Sequence, residues 1–336
     1  MINLGIIGTG MMAGIIADSC RSVDINVLAV LSRNILAAHD FCAKHDIPEK
    51  KGMINEELFF SDHNLDAVYI ATPTSEKERF LRYCLQYNKH ALIEKPLPNT
   101  ASIFELLQEA DNKGLVWLDA AHFIHTTWYE MLDSLIMENI GIIDRVEASF
   151  FWPDQNKGQI KFNPLLEPDG AMGDLGWYPL RLISKFIPFE SITHSSSILL
   201  HDNDNAIVEM NVSGHTEDNI TFIGVASYRG SVVKQRCEIS GTLGRLILND
   251  FVMPYCGSFV YGNLLPSMCI EVEHGMKPLL DREIINISFP ERQHVTMLRN
   301  FSRFIHSSDS EILKSLQIEC RRTMGLSGFI RELSQG

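Results

Sequence analysis

The chain begins with a short, mostly apolar segment that runs directly into a glycine-rich turn. Residues 2–7 form the apolar segment, and residues 8–13 have the spacing G-x-G-x-x-A. In a strand–turn–helix unit the first glycine makes the turn, the second lets a pyrophosphate approach the backbone, and the small third residue lets helix and strand pack. The helix N-terminus attracts phosphate. We therefore predict a dinucleotide-binding domain, with cofactor contacts from Gly8, Thr9, Gly10, Met11 and Met12.

Short apolar runs alternate with amphipathic helical patterns over the first third of the chain. The runs 4–7, 27–31, 67–71, 91–93 and 116–118 predict buried strands, and the patterns at 11–20, 35–45, 75–87 and 101–113 predict helices. Strand–helix repetition of this kind produces a parallel sheet with helices on both faces. We predict an α/β fold in which residues 1–121 form a Rossmann-type, doubly wound domain.

The pattern changes after about residue 120. A helix near residues 128–137 and a long strand at 142–152 precede a polar loop, residues 153–168, which contains three prolines. A helical stretch at 172–186 contains Pro179, which predicts a kink or a restart. Alternating strand-like runs follow, and two helical stretches end the chain. We predict that residues 122–336 form an α+β domain with a large, open, mostly antiparallel sheet for substrate binding and oligomerisation.

The end of the second predicted strand distinguishes the two nicotinamide dinucleotides. An NAD site usually has an Asp or Glu there for the ribose 2′-hydroxyl. This chain has Ser32 and Arg33, and no carboxylate at that strand end. A hydroxyl and a guanidinium suit a 2′-phosphate. The sequence therefore favours NADP, with NAD as the alternative and a solvated surface arginine as the competing interpretation of Arg33.

Charge and cysteine usage restrict the partners and the compartment. The net charge is −13 at pH 7, which disfavours nucleic acid and anionic membranes. The seven cysteines are scattered and include no C-x-x-C pair, so we expect reduced thiols in the cytoplasm. No apolar run is long enough to span a bilayer. His122 and His125 lack a third ligand nearby, and we expect no metal site.

Three further residues are candidates for a role in catalysis. Lys95 lies at the carboxyl end of a predicted parallel strand, where ligands of such sheets bind, although a lone lysine there is usually a solvated charge. Asp174 and Tyr178 are four residues apart, which places them on one face if the helix is continuous. Arg181 would share that side. The alternative is an ordinary amphipathic helix whose tyrosine packs in the core.

Three motifs in this order resemble the Gfo/Idh/MocA oxidoreductases, named after glucose-fructose oxidoreductase and inositol dehydrogenase. They are Ala71-Thr72-Pro73, at the end of a stretch that resembles the family's fourth strand, Glu94-Lys95-Pro96, and residues 170–178 in the second domain. The resemblance covers nearly the whole chain. It implies that Thr72, Pro73, Glu94 and Lys95 contact the cofactor.

The same resemblance implies a catalytic set of Lys95, Asp174 and Tyr178. The family's fuller pattern ends in His, whereas this chain has Tyr178, as do glucose-fructose oxidoreductase and the dihydrodiol dehydrogenases. A nearby lysine lowers a phenol's pKa, so Lys95 and Tyr178 form a candidate proton-transfer pair at the reacting oxygen. The substrate-binding candidates are Lys95, His122, Trp152, Asp174 and Tyr178. The family often has Asn and His where this chain has Thr74 and Lys77, which leaves the substrate class open.

We therefore expect an NADP-dependent oxidoreductase that transfers hydride to or from a sugar-like, polyol or cyclic ketone or diol substrate. The main alternative is a catalytically inactive NAD(P)-binding regulator on the same fold. A third hypothesis is a transferase or hydrolase that keeps NAD as a bound redox catalyst. The open sheet predicts a homodimer or homotetramer.

Overall fold

The computed structural model describes residues 1–256, 263–264, 267–276, 278–289, 291–307 and 311–334. The chain forms two compact units. One unit contains Met1–His122 and Glu291–Ile318, and the other contains Phe123–Pro290 and Glu319–Gly336. Residues 291–318, which the sequence analysis placed with the second domain, thus cluster with the N-terminal residues.

The N-terminal part of the first unit alternates strands and helices. Its strands are β1 (Ile2–Ile7), β2 (Ile25–Leu31), β3 (Gly52–Met53), β4 (Ala67–Ile70), β5 (His90–Ile93) and β6 (Trp117–Asp119). Its helices are α1 (Met11–Cys20), α2 (Ile35–Lys44), α3 (Glu56–Ser61), α4 (Thr74–Gln86) and α5 (Ala101–Asn112). The strands pair in parallel in the order β3-β2-β1-β4-β5-β6. This is the order of a doubly wound, dinucleotide-binding sheet, and it confirms the predicted fold class.

Local sequence explains where these helices begin. The Asn34 side chain caps α2 by accepting hydrogen bonds from Leu36 N and Ala37 N at 2.8 and 3.3 Å. Thr100 caps α5 by accepting one from Ile103 N at 3.2 Å. Such caps satisfy amide groups that the first helical turn leaves without partners.

The second unit is built on an eight-stranded sheet. Its first helices are α6 (Thr127–Asn139), α7 (Gly170–Asp174) and α8 (Trp177–Phe186). Its strands are β7 (Ile143–Phe151), β8 (Ile192–His201), β9 (Ile207–Thr216), β10 (Thr221–Ser227), β11 (Lys234–Gly241), β12 (Arg245–Asn249), β15 (Ser267–His274) and β16 (Asp281–Ser288); β13 (Tyr255–Cys256) and β14 (Asn263–Leu264) form a separate pair. The order is β16-β15-β12-β11-β7-β10-β9-β8, and only the β7–β10 pair is parallel among the described strands of this sheet. The mostly antiparallel sheet was predicted.

Two helices end the chain, α9 (Gln293–His306) and α10 (Glu311–Leu333). Helix α9 contacts α1 within the first unit. No helix among the described residues has the length and apolar character needed to cross a membrane. Six cysteines are free thiols; the side chain of the seventh, Cys256, lies outside the described part of the chain.

Candidate functional site

The glycine-rich turn after β1 has the geometry that the motif requires. Gly8 has a φ of +104°, and a Cβ there would lie 2.6 Å from the carbonyl oxygen of Ala71. Gly10 precedes the first residue of α1, and a Cβ there would meet nothing within 4 Å. Ala13 is buried where α1 packs on the sheet. The first glycine is therefore required by the fold, and the second leaves open space in front of the helix N-terminus.

The segment after β4 contains a second feature that suits a bound ligand. Thr72 is half-buried, and its Oγ1 is buried without a hydrogen-bond partner in the described structure. Pro73 follows and precedes the first residue of α4. Buried hydroxyl groups are nearly always hydrogen-bonded, so an orphaned one beside a ligand-binding edge suits a polar ligand. Together with the Gly8 turn, this fits a dinucleotide.

The end of β2 presents Ser32 and Arg33. Ser32 is half-buried, and its Oγ accepts a hydrogen bond from Asn34 N at 3.4 Å. Arg33 is exposed and forms no ion pair with the described residues. Its guanidinium is thus available to an anion at the point where a dinucleotide's adenosine ribose lies.

The segment after β5 carries a buried carboxylate and an ammonium. Glu94 is buried, and its Oε1 accepts a hydrogen bond from Tyr69 Oη at 2.6 Å. Burial raises the pKa of Glu94 above its usual range, although Lys95, Tyr69 and Lys77 act in the opposite direction. The next residue, Lys95, is half-buried and is followed by a cis peptide bond to Pro96.

Lys77 stabilises this segment from α4. Its Nζ is buried and donates to Pro96 O at 2.7 Å and to Thr74 Oγ1 at 3.2 Å. In the sequence, Lys77 is notable only as a departure from the family pattern. Its position four residues after Pro73 was the signal that it belongs with this edge of the sheet.

The candidate cofactor residues share one edge of the parallel sheet. They follow the carboxyl ends of four neighbouring strands, namely β2, β1, β4 and β5. Ligands of doubly wound sheets bind outside these ends. Thr9, Met11 and Met12 lie in the same turn and the first turn of α1, with Met11 exposed.

In the second unit, Asp174 and Tyr178 lie on consecutive short helices. Helix α7 ends at Asp174 and α8 begins at Trp177, so the continuous helix considered in the sequence analysis is interrupted at Leu175 and Gly176. Pro179 falls in the first turn of α8, where its missing N–H costs no helical hydrogen bond. The predicted restart is confirmed.

Different contacts hold the two side chains. Tyr178 is buried, with its ring centroid 5.4 Å from that of Phe150 and 5.7 Å from that of Phe123. Asp174 is half-buried, and its Oδ2 accepts a hydrogen bond from Tyr228 Oη at 3.0 Å. Tyr228 comes 54 residues later in the chain, and it was not predicted from the sequence.

Arg181, expected beside Asp174 and Tyr178, is fully buried in an ion pair. Its Nη1 lies 2.9 Å from Oε2 of Glu319, which also accepts a hydrogen bond from Tyr129 Oη at 2.7 Å. This arrangement fixes α8 within the second unit, because a buried guanidinium needs a charged partner.

The two remaining substrate-binding candidates differ in exposure. Trp152 is half-buried just after β7, and its backbone N–H donates to Ser227 O at 3.0 Å. His122 is buried in the first unit, with Nδ1 2.5 Å from Gln293 Oε1 and its ring centroid 4.6 Å from that of His294. The structure thus groups Asp174, Tyr178 and Trp152 in one unit and Lys95 and His122 in the other.

Comparison with known proteins agrees with this geometry. Residues 2–120 match the model of an oxidoreductase family with an NAD-binding Rossmann fold. The chain is 27% identical to a dTDP-3,4-didehydro-2,6-dideoxy-alpha-D-glucose 3-reductase of Streptomyces antibioticus over 236 residues, 69% of this chain and 70% of the relative. It is 29% identical to the trans-1,2-dihydrobenzene-1,2-diol dehydrogenase of Sus scrofa over 188 residues, 54% of each protein.

A solved structure extends the similarity to the whole fold. The 3-ketoreductase KijD10 of Actinomadura kijaniata, crystallised with NADP and TDP-benzene, superposes with a TM-score of 0.82 at 21% sequence identity. The alignment covers 98% of this chain and 97% of that one. Both units therefore have the fold of that reductase.

Proposed function

We propose that the chain transfers hydride between NADP and a sugar-like, polyol or cyclic ketone or diol substrate. The premise is that residues 2–120 match the model of the Gfo/Idh/MocA oxidoreductases, a family with an NAD-binding Rossmann fold. The observation that carries the proposal is the turn at Gly8, whose φ of +104° and contact with Ala71 form a cradle for the pyrophosphate. The orphaned Oγ1 of Thr72 on the neighbouring strand end supports it. In this proposal residues 1–121 bind the cofactor and residues 122–336 bind the substrate.

The candidate residues at the end of β2 support NADP rather than NAD. Ser32 and the exposed Arg33 stand where an NAD-specific site has a carboxylate for the 2′-hydroxyl. A guanidinium donates several N–H groups to phosphate oxygens, so Arg33 binds the 2′-phosphate. The presence of NADP in the crystals of the similar A. kijaniata reductase supports the assignment.

The names of the relatives suggest a common substrate chemistry. One acts on a didehydro sugar with oxidised carbons 3 and 4, and another on a benzene-1,2-dihydrodiol. Both compounds are rings with oxygen atoms on neighbouring carbons. We assign this chain a ring substrate of the same class, in which the reacting carbinol or carbonyl carbon has a neighbouring carbon that also bears oxygen, as a hydroxyl or a carbonyl group.

We assign the chain's own residues separate roles in the reaction. A bound nicotinamide supplies the hydride chemistry. Tyr178 exchanges a proton with the reacting oxygen, and Lys95 favours negative charge on the phenol and on that oxygen. Asp174 accepts a hydrogen bond from a hydroxyl group of the substrate and orients the ring. His122 and Trp152 are assigned as further substrate contacts.

A screen and two substitutions test this assignment. NADPH and NADP⁺ turnover is measured with sugars, sugar nucleotides, inositols, diketones and trans-1,2-dihydrobenzene-1,2-diol. Lys95→Ala and Tyr178→Phe are each expected to lower kcat by about 10²–10⁴-fold, the usual contribution of acid–base catalysis. NADPH affinity, followed by fluorescence, should change far less. Lys50→Ala, which removes an exposed ammonium elsewhere in the first unit, is the control.

Two results would contradict the proposal. Near-normal turnover in both variants would remove the assigned roles of Lys95 and Tyr178. Tight NADPH binding without turnover on any compound of the panel would instead favour the inactive, cofactor-binding regulator.

We also propose that the protein works in the cytoplasm as a homodimer or homotetramer formed through the eight-stranded sheet. Large apolar side chains are exposed on three of its strands, namely Ile198 on β8, Ile223 on β10 and Ile284 on β16. An open sheet can pack face to face against the sheet of a second copy, which would cover such side chains. Sedimentation velocity at micromolar concentration should detect the oligomer, and Ile223→Asp should dissociate it; a wild-type monomer would refute the assembly.

A further inference from the structure

We propose that Tyr228 is a positioning residue that holds the Asp174 carboxylate in the orientation in which it binds the substrate. The inference rests on the proposed role of Asp174 in substrate binding. Tyr228 is the first residue after β10, and its Oη donates to Asp174 Oδ2 at 3.0 Å. Asp174 is the last residue of α7, so a tyrosine at a strand end anchors a carboxylate at a helix end.

The backbone of Tyr228 is fixed on two sides. Its N–H donates to Val208 O on β9 at 3.0 Å, and its carbonyl oxygen accepts a hydrogen bond from Asp154 N at 2.9 Å. The residue therefore continues the pairing with β9 on one side and is hydrogen-bonded to the start of the 153–168 loop on the other. A phenol attached to so constrained a backbone has little freedom to move away from Asp174.

The ring of Tyr228 is held by the same loop. Its centroid lies 5.1 Å from that of Phe162, and Lys161 Nζ lies 4.7 Å from it over the ring face. Lys161 is in turn held by Asp154 at 2.7 Å. The proline-containing polar loop thus braces Tyr228 from the side, which gives this segment a function that its composition does not reveal.

The phenol remains a donor. Tyr228 is buried, and burial together with the nearby Asp174 carboxylate raises its pKa far above the usual value. Glu167 and Asp154 act in the same direction. Tyr228 therefore keeps its proton over the whole pH range in which an enzyme works, and it does not compete with Tyr178 as an acid–base group. Its hydrogen bond to one carboxylate oxygen sets the direction in which the carboxylate faces the substrate.

A double-mutant cycle tests the inference. Tyr228→Phe, Asp174→Asn and the double variant are compared with wild type for kcat and KM on the most rapidly converted compound of the panel above. NADPH affinity and Tm are measured in parallel. Tyr228→Phe keeps the ring contacts with Phe162 and Lys161 and removes only the hydroxyl, so it isolates the hydrogen bond.

Tyr129→Phe is the matched control. Tyr129 is also buried in the second unit and also donates to a carboxylate, that of Glu319, at 2.7 Å. Its substitution reports what the loss of any buried tyrosine–carboxylate hydrogen bond does to folding. Tyr129→Phe is expected to change Tm but to leave KM within about twofold of wild type.

We expect Tyr228→Phe to lower kcat/KM by about tenfold or more, mainly through KM, because hydrogen bonds to charged groups contribute free energy of that size. NADPH affinity should stay unchanged. In the background of Asp174→Asn, Tyr228→Phe should cause little additional loss, because the two side chains act as one unit.

Other outcomes overturn the inference in distinguishable ways. If Asp174→Asn is damaging and Tyr228→Phe is not, the positioning role is wrong while the proposed function stands. Losses that multiply in the double variant also refute positioning. If Tyr228→Phe changes kcat/KM no more than Tyr129→Phe does, its role is structural. If Asp174→Asn leaves kcat/KM unchanged, the proposed function of Asp174 fails, and the inference fails with it.

Discussion

The two glycines of the dinucleotide turn should fail in different ways when each is replaced by alanine. At Gly8 the φ of +104° is unfavourable for an L-residue, and the new Cβ would lie 2.6 Å from Ala71 O. A non-glycine residue in this region costs about 1–3 kcal/mol. Overpacking against a backbone that cannot move easily adds a similar amount. We expect Gly8→Ala to destabilise the cofactor-free protein by about 3 kcal/mol, which lowers Tm by roughly 6–12 °C.

Gly10 provides the matched substitution two residues away. Its φ of −80° and ψ of −177° suit alanine, and a Cβ there meets no atom within 4 Å. Gly10→Ala should therefore leave the Tm of the cofactor-free protein unchanged, or raise it slightly because the unfolded chain loses entropy. The same methyl group occupies the space through which a pyrophosphate approaches α1. NADPH affinity should fall by at least about tenfold, equivalent to about 1.4 kcal/mol.

Differential scanning fluorimetry without cofactor and an NADPH fluorescence titration separate the two effects. The reasoning is refuted if Gly10→Ala lowers Tm as much as Gly8→Ala does. It is also refuted if Gly10→Ala binds NADPH with wild-type affinity, because the open space in front of α1 would then not be the phosphate site.

Three further predictions follow from single side chains. Arg33→Ala should weaken NADPH at least about tenfold more than NADH, because a charged hydrogen bond to the 2′-phosphate is lost; equal losses in titrations would refute the NADP assignment. Burial lowers the pKa of His294 to about 4, so stability should fall as the pH drops from 6.5 towards 4, by about 1.4 kcal/mol per unit. In urea titrations, His294→Phe should reduce the loss of unfolding free energy between pH 6.5 and 4. Substitution of the exposed His306 on the same helix should not. Arg181→Met should cost about 3–5 kcal/mol in urea unfolding because it leaves Glu319 buried without its guanidinium, and an additional Glu319→Gln should recover part of the loss.

The parallel sheet was predictable because its strands are buried on both faces and therefore appear as continuous apolar runs. Every described residue of β4 is buried, and so are nearly all residues of β1 and β5. Strand β3 and helix α3, with two and six residues, were not predicted, because elements this short have no measurable periodicity.

Strands β15 and β16, at one edge of the second sheet, were not predicted for a different reason. Strands β15 and β16 contain Glu271, Glu273 and Arg282, which resemble solvated loop residues in the sequence. In the structure Arg282 lies 2.6 Å from Glu273, and Arg245 on β12 also pairs with Glu273. Charges on the open face of a sheet are compensated by neighbouring strands, and the identity of the neighbour depends on strand order, which local sequence does not contain.

In the candidate site, too, some residues can be predicted from local sequence and others depend on tertiary contacts. Gly8, Gly10 and Lys95 could be proposed because each assigned role depends on a place at the end of a strand, and strand ends are visible in the sequence. Thr72 was proposed from the family motif. The spacing of Asp174 and Tyr178 was noticed correctly but interpreted as one helical face, whereas Gly176 ends that regularity by approaching the carbonyl group of Met172 more closely than a Cβ allows. The determinant that we propose for the direction of the Asp174 side chain is instead its hydrogen bond from Tyr228, 54 residues away. A sequence pattern can thus indicate which group performs the chemistry, but the group that orients it is selected by tertiary contacts, and for this reason the double-mutant cycle on Tyr228 and Asp174 tests the part of the site that the motif leaves undetermined.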